Sequence, residues 1–173
     1  MPVDININQP ADAYLRSLSK HHDRLVIGAA IASDSSVLIV QRASDERSFP
    51  NQWELPGGGV DPNETIHEAV CREIREETGL TVTDVASQFA GFEYETTKYE
   101  EDQDTGNDGH VVVRSLQLNF CVRVASTEPV VLNPKEHQNH AWCTLDNIDE
   151  FKFSTAMHTV VVNALECLKS INQ

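Results

Sequence analysis

Between Gly58 and Leu80 the chain reads GGVDPNETIHEAVCREIREETGL, and this stretch dictates its own local structure. Thr65 followed three residues later by Glu68 is a capping box, in which each side chain satisfies a backbone N–H of the other. Ile66, Val70 and Ile74 recur every four residues and give the helix one apolar face. Gly79 stands where a left-handed helix stop is expected. On the same helix Glu73, Glu76 and Glu77 are spaced by three and four residues, so their carboxylates share a face. Three like charges there repel, and the repulsion grows as they lose water. The arrangement calls for positive charge, and hard divalent cations that prefer oxygen ligands, Mg²⁺ or Mn²⁺, are suited to supply it. Arg72, four residues before Glu76, can pair with carboxylates of its own helix.

The rest of the chain supplies strands around this helix. Leu25 to Ala32 and Val37 to Gln41 are apolar runs separated by Ser33, Asp34, Ser35 and Ser36, a hairpin signal. Ser48 to Pro62, with its prolines and glycines, reads as turns. Strands are expected at Thr81 to Val85, Phe89 to Glu95, Val111 to Val124 and His140 to Leu145. A final helix begins near Ser154, with Met157, Val160, Val161, Ala164, Leu165 and Leu168 on its buried stripe. Lys98 to His110, acidic and without periodicity, reads as a mobile loop and a candidate lid. Helices alternating with strands in this way predict a layered α/β domain over 23–170, preceded by a polar leader over 1–22.

Charge narrows the function. With 27 acidic against 13 basic residues the net charge is -14, which repels phosphate backbones and anionic membranes. Nucleic acid and membrane are therefore not expected partners, whereas a small phosphorylated ligand is acceptable where bound cations invert the local field. Cys71, Cys121, Cys143 and Cys167 form no CxxC pair and are read as small buried hydrophobes. The start of the chain has neither a basic nor an apolar targeting segment, so a soluble, intracellular, cytoplasmic protein is expected.

The 23 residues resemble the Nudix box, G-x5-E-x7-R-E-U-x-E-E-x-G-U with U aliphatic, at every defined position: Gly58, Glu64, Arg72, Glu73, Ile74, Glu76, Glu77, Gly79 and Leu80. Trp53-Glu54-Leu55-Pro56-Gly57 is similar to the usual lead-in. The resemblance implies an α/β/α sandwich with a mixed sheet, and hydrolysis of a diphosphate linkage, chiefly in a nucleoside diphosphate joined to another group. It implies that Glu73, Glu76, Glu77 and the backbone carbonyl of Gly57 ligate the cations, with Arg72, Glu64 and Gly58 in support. Glu73 is the expected general base, and Glu136, before a strand, is the rival. Arg42 and Trp53 are candidate substrate contacts; for Phe92, stacking and core packing are both open. His137 and His140 lack another placed ligand and are read as solvated or hydrogen-bonded loop histidines. A prenyl or other non-nucleotide diphosphate, or a catalytically silent nucleotide-binding sensor, are the alternatives, and a homodimer is open.

Overall fold

The computed structural model describes residues 5–101 and 108–171. Strand β1 (Arg24–Ser33) turns through Asp34, at φ 52°, into β2 (Ser36–Arg42), with Ala32 opposite Val37 and Ser33 opposite Ser36. The predicted hairpin is thus present. β1 then lies parallel to β5 (Asp108–Val124), from Arg24 beside Ser115 to Ile31 beside Val122, and β5 is antiparallel to β4 (Val82–Glu101). On the other side β2 pairs with the two-residue β3 (Trp53–Glu54) and with β6 (His137–Cys143). The sheet is mixed, with order β3-β2-β1-β5-β4 and β6 joined to β2.

Both faces of this sheet are covered, which is why β1 and β2 are apolar almost throughout. Alternation along the strands sorts their side chains. Leu25, Ile27, Ala29 and Ile31 of β1 meet Ile66, Val70 and Ile74 of helix α2 (Ile66–Thr78). Ala30 of β1, with Val37 and Ile39 of β2, points the other way, onto Val160, Val161, Ala164 and Leu165 of helix α3 (Thr155–Ile171). The α/β/α sandwich follows. Fully burying one such aliphatic side chain contributes about 1.5–3 kcal/mol, so the α2 stripe by itself anchors the helix.

The ends of α2 are fixed as the sequence predicts. Thr65 Oγ1 accepts from Glu68 N at 3.1 Å, while Glu68 Oε2 accepts from Thr65 N at 2.9 Å. Gly79 closes the helix at φ 71°. A further N-terminal N–H, that of His67, donates to the Ile7 carbonyl at 2.9 Å, and Ala11 N donates to the Glu64 carbonyl at 3.0 Å. The segment leading into the short helix α1 (Ala11–Ser17) is thereby tied to the start of α2.

Four expectations are corrected. The strands expected at Thr81 to Val85 and Phe89 to Glu95 are one strand, bent by register shifts at Val82/Asp84, Val85/Ser87 and Phe89/Phe92. Lys98 to His110 is not a loop over its whole length, because β4 and β5 stay paired out to Glu101 opposite Asp108. β-Branched partners, Thr96 beside Val113 and Thr97 beside Val112, carry the ladder outward. Residues 102–107, the centre of the candidate lid, lie outside the described residues. β6 starts at His137 and stops at Cys143, since Arg42 of β2 pairs with His137 and Thr144 N turns away to Asn147 Oδ1. Finally, Cys121 and Cys143 are core residues, but Cys71 and Cys167 are half-buried. No described helix is long and apolar enough to cross a membrane.

Candidate functional site

The site is assembled where the β3–α2 turn meets α2 and the start of β6. Gly57 adopts φ 147° and passes so close to β1 that a Cβ would lie 2.1 Å from the Ile27 carbonyl oxygen. Only glycine fits that approach. Ala29 N donates to Pro56 O at 2.8 Å and Ile27 N to Gly58 O at 2.9 Å. Among the described residues no backbone N–H outside the regular elements donates to the Gly57 carbonyl between them. The Gly57 N–H donates to Glu77 Oε2 at 2.7 Å, which locks that carboxylate beneath the turn. At Gly58 a Cβ would sit 2.7 Å from the carboxylate of Glu73, so the missing side chain makes room for that group.

Arg72 organises the outer side of the cluster. Its Nε and one terminal nitrogen donate to the two oxygens of Glu64 at 2.8 Å each, a bidentate fork. The other terminal nitrogen reaches Glu73 Oε1 at 2.7 Å and Glu76 Oε2 at 3.3 Å, while Gly59 O accepts at 3.0 Å from the terminal nitrogen that also bonds Glu64. The guanidinium holds Glu64 below the usual carboxylate range. Removing it leaves the largely buried carboxylates of Glu64 and Glu73 without their shared cation. Arg72→Ala is therefore expected to cost about 2 kcal/mol, below the roughly 3–5 kcal/mol of a fully buried pair because Arg72 keeps 27% of its side chain exposed. Urea unfolding checks this; a loss within about 0.5 kcal/mol would place Arg72 among ordinary surface residues.

Toward the interior the carboxylates crowd. Glu77 is 3% exposed and Glu73 8%. Burial, with the charges of Glu54, Glu73 and Glu136 added, pushes the Glu77 carboxyl well above its ordinary value despite the Gly57 hydrogen bond. Burial also raises that of Glu73, against the pull of Arg72, and Glu76 and Glu136 add to the rise. Glu136, at the mouth of β6, is exposed, and one oxygen accepts from Asn133 Nδ2 at 2.9 Å. Ligand atoms of Glu77, Glu136 and His137 all lie within 4.8 Å of one another.

Two members of this cluster were not foreseen. Glu54 faces Arg42 at 2.9 Å and His137 Nε2 at 3.3 Å. His137 is not a solvated loop residue: it is 2% exposed, and its Nδ1, buried without a hydrogen-bond partner, lies 3.8 Å from Glu77 Oε1. His140 stays exposed on β6. Glu54 stood in the lead-in Trp53-Glu54-Leu55-Pro56-Gly57, and its place shortly before Gly57 was the available signal; for His137 the signal was only its adjacency to Glu136.

Glu54 also borders a cleft of about 410 Å³ whose walls include Arg42, Trp53, Phe92, Tyr94 and Gln117. Arg42 reaches it with its guanidinium already engaged by Glu54, Glu46 Oε2 at 2.9 Å and Ser48 O at 2.7 Å. Trp53 both borders the cleft and packs edge-on against Phe151, ring centroids 5.0 Å apart. Phe92 pairs with Tyr94 at 5.5 Å on the cleft wall. The structure therefore brings Arg42, Trp53 and Glu54 into one region with Glu77, through the contacts of Glu54 with Arg42 and His137 and of His137 with Glu77.

The molecule is thus an α/β/α domain that buries a glutamate-rich helix end beneath a glycine turn, beside a cleft bordered by aromatic rings. A family model described as the NUDIX domain matches residues 22–162, and the chain belongs to the Nudix family as a Nudix-type pyrophosphohydrolase. It is 31% identical over 135 residues to the nucleoside triphosphatase NudI of Escherichia coli, covering 77% of this chain and 90% of that relative. Among solved structures it is similar to the MutT protein of Methanosarcina mazei Go1, with TM-score 0.59 and 25% identity, covering 91% of this chain and 99% of that one. The MutT NUDIX hydrolase of Burkholderia pseudomallei aligns with TM-score 0.58 and 26% identity, covering 83% and 95%.

Proposed function

We propose that the chain hydrolyses a phosphoanhydride bond of a nucleotide, a nucleoside diphosphate joined to a further group, in a reaction dependent on Mg²⁺ or Mn²⁺. One observation carries this reading: Glu73, Glu77 and Glu136 crowd together next to a cleft bordered by aromatic rings. Glu73 and Glu77, whose proton affinity is raised by burial and further by neighbouring carboxylates, fit a hard cation, which relieves their repulsion. Glu73, Glu76, Glu77, Glu136 and the Gly57 carbonyl would hold it. Such a cation neutralises phosphate charge and makes its bound water more acidic.

The chain's own residues do the rest. Arg72 keeps one oxygen of Glu73 fixed at 2.7 Å and leaves the other for a water proton. Glu73 takes that proton as the water attacks phosphorus, aided by a proton affinity that burial has already raised. Glu64 and Gly58 shape this arrangement from behind. Arg42 and Trp53 line the approach for phosphate and base. The name of the Escherichia coli relative, a nucleoside triphosphatase, agrees with a nucleotide substrate.

A panel of nucleoside triphosphates, nucleoside diphosphate sugars and a prenyl diphosphate, each with Mg²⁺ and with chelator, tests the proposal by product analysis. Turnover of nucleotides that chelation abolishes is the expected result. Preference for the prenyl compound would overturn the substrate class, and saturable nucleotide binding without turnover would support the silent sensor instead.

A further inference from the structure

β5 carries three buried polar side chains on one face, Ser115, Gln117 and Asn119. Asn119 is fully buried and Gln117 is 6% exposed, both on the face that looks toward the cleft, which Gln117 lines. Their hydrogen bonds run in one direction. Asn119 Nδ2 donates to the Ala90 carbonyl at 2.7 Å, and Gln117 Nε2 donates to Asn119 Oδ1 at 2.8 Å. A backbone carbonyl can only accept, so Asn119 must turn its nitrogen to Ala90 and its oxygen to Gln117. Gln117 must then answer with its nitrogen. Its own oxygen is left over, and among the described residues nothing donates to it.

Two glycines keep space for this relay. A Cβ at Gly28 would stand 2.6 Å from Asn119 Oδ1 and 2.8 Å from Gln117 Nε2, and a Cβ at Gly91 would meet the Gln117 backbone oxygen at 2.2 Å. The cost of burying two amides beside an apolar core is thus partly met by a network whose direction the Ala90 carbonyl fixes and which leaves Gln117 Oε1 without a protein donor among the described residues.

We propose that Gln117 is a specificity residue for the reaction, presenting Oε1 to an N–H donor on the edge of the substrate's nucleobase while Phe92 and Tyr94 border the base from β4. Asn119 is a positioning residue that acts through Gln117. The inference rests on the nucleotide reading above and deepens it: the cleft selects the base through hydrogen bonding, and a substrate without a donor at that edge loses the contact. An acceptor built to pair with a donor discriminates more sharply than an apolar wall of the same shape, since a mismatched ligand would cover the oxygen without pairing it.

The test compares wild type with Gln117→Leu on the best natural nucleoside triphosphate, on a base analogue lacking the edge N–H, and on ribose 5-triphosphate, which has no base. Gln117→Leu is expected to raise KM for the natural nucleotide about tenfold with kcat little changed. It should also erase the preference over the donor-less analogue and leave kcat/KM for ribose 5-triphosphate as in wild type. That last activity also reports correct folding of the variant. Gly28→Ala, which crowds both amides, should reproduce the loss of base preference. An unchanged KM ratio between natural and donor-less nucleotides overturns the role of Gln117 while nucleotide hydrolysis stands. Absence of any nucleotide turnover overturns both readings together.

Discussion

Glu73→Gln is expected to lower kcat by roughly 10²- to 10⁴-fold, the range general-base catalysis supplies, and Glu136→Gln by much less. The two carboxylates differ in the environment that a base requires. Glu73 is buried, its proton affinity is raised, and one of its oxygens is pinned at 2.7 Å by Arg72, so the free oxygen has a defined direction and a stronger pull on a proton. Glu136 is exposed and one of its oxygens is occupied by Asn133. Glutamine preserves shape at either position and removes only the charge. Steady-state rates, measured together with Mg²⁺ affinity, separate the two: if Glu136→Gln lost the greater part of kcat with metal binding intact, the base would be Glu136.

The parts of the molecule that follow from short spacing were legible in the sequence. The capping box at Thr65 and Glu68, the stripe Ile66, Val70 and Ile74, and the stop at Gly79 each depend on neighbours within one or two turns, and each is present. The long β4–β5 hairpin was not, because the acidic, glycine-containing residues after Lys98 interrupt apolar alternation while the ladder is maintained by partners on the other strand. The same holds for the cluster. Glu54 and His137 are 83 residues apart, and they meet because β2 pairs with β3 at Val40 and Glu54 and with β6 at Arg42 and His137. No periodicity in either segment encodes that meeting. The Gln117–Asn119 relay escaped for another reason: its direction is set by the Ala90 carbonyl across the sheet, a constraint visible only once the strands are in register.

Glu77→Gln is expected to abolish most turnover and yet to make the cation-free protein more stable, a pairing of opposite effects that a merely structural glutamate would not produce. The carboxyl of Glu77 binds its proton more tightly in the folded chain than at the ordinary glutamate value of 4.5. Between that value and the raised folded one, the native state holds a proton that the unfolded state has lost, so cation-free stability falls as pH rises through this window. Above it the penalty is complete. Glutamine keeps an oxygen for the Gly57 N–H, which Glu77 now accepts at 2.7 Å, and carries no charge to desolvate. At pH 8 the variant should therefore melt higher than wild type in chelator, by about 2–4 °C for each kcal/mol recovered in a chain of this size. The difference should vanish below about pH 4, where the wild-type carboxyl is protonated in both states. Adding Mg²⁺ should raise the wild-type melting temperature more above this pH window than within it, since the cation offsets a charge that is fully developed only above the window, and should raise that of Glu77→Gln little in either range. A variant that melts lower than wild type in chelator at pH 8 would show that Glu77 stabilises the fold as an ion, and the cluster would then have no need of a cation to hold it together.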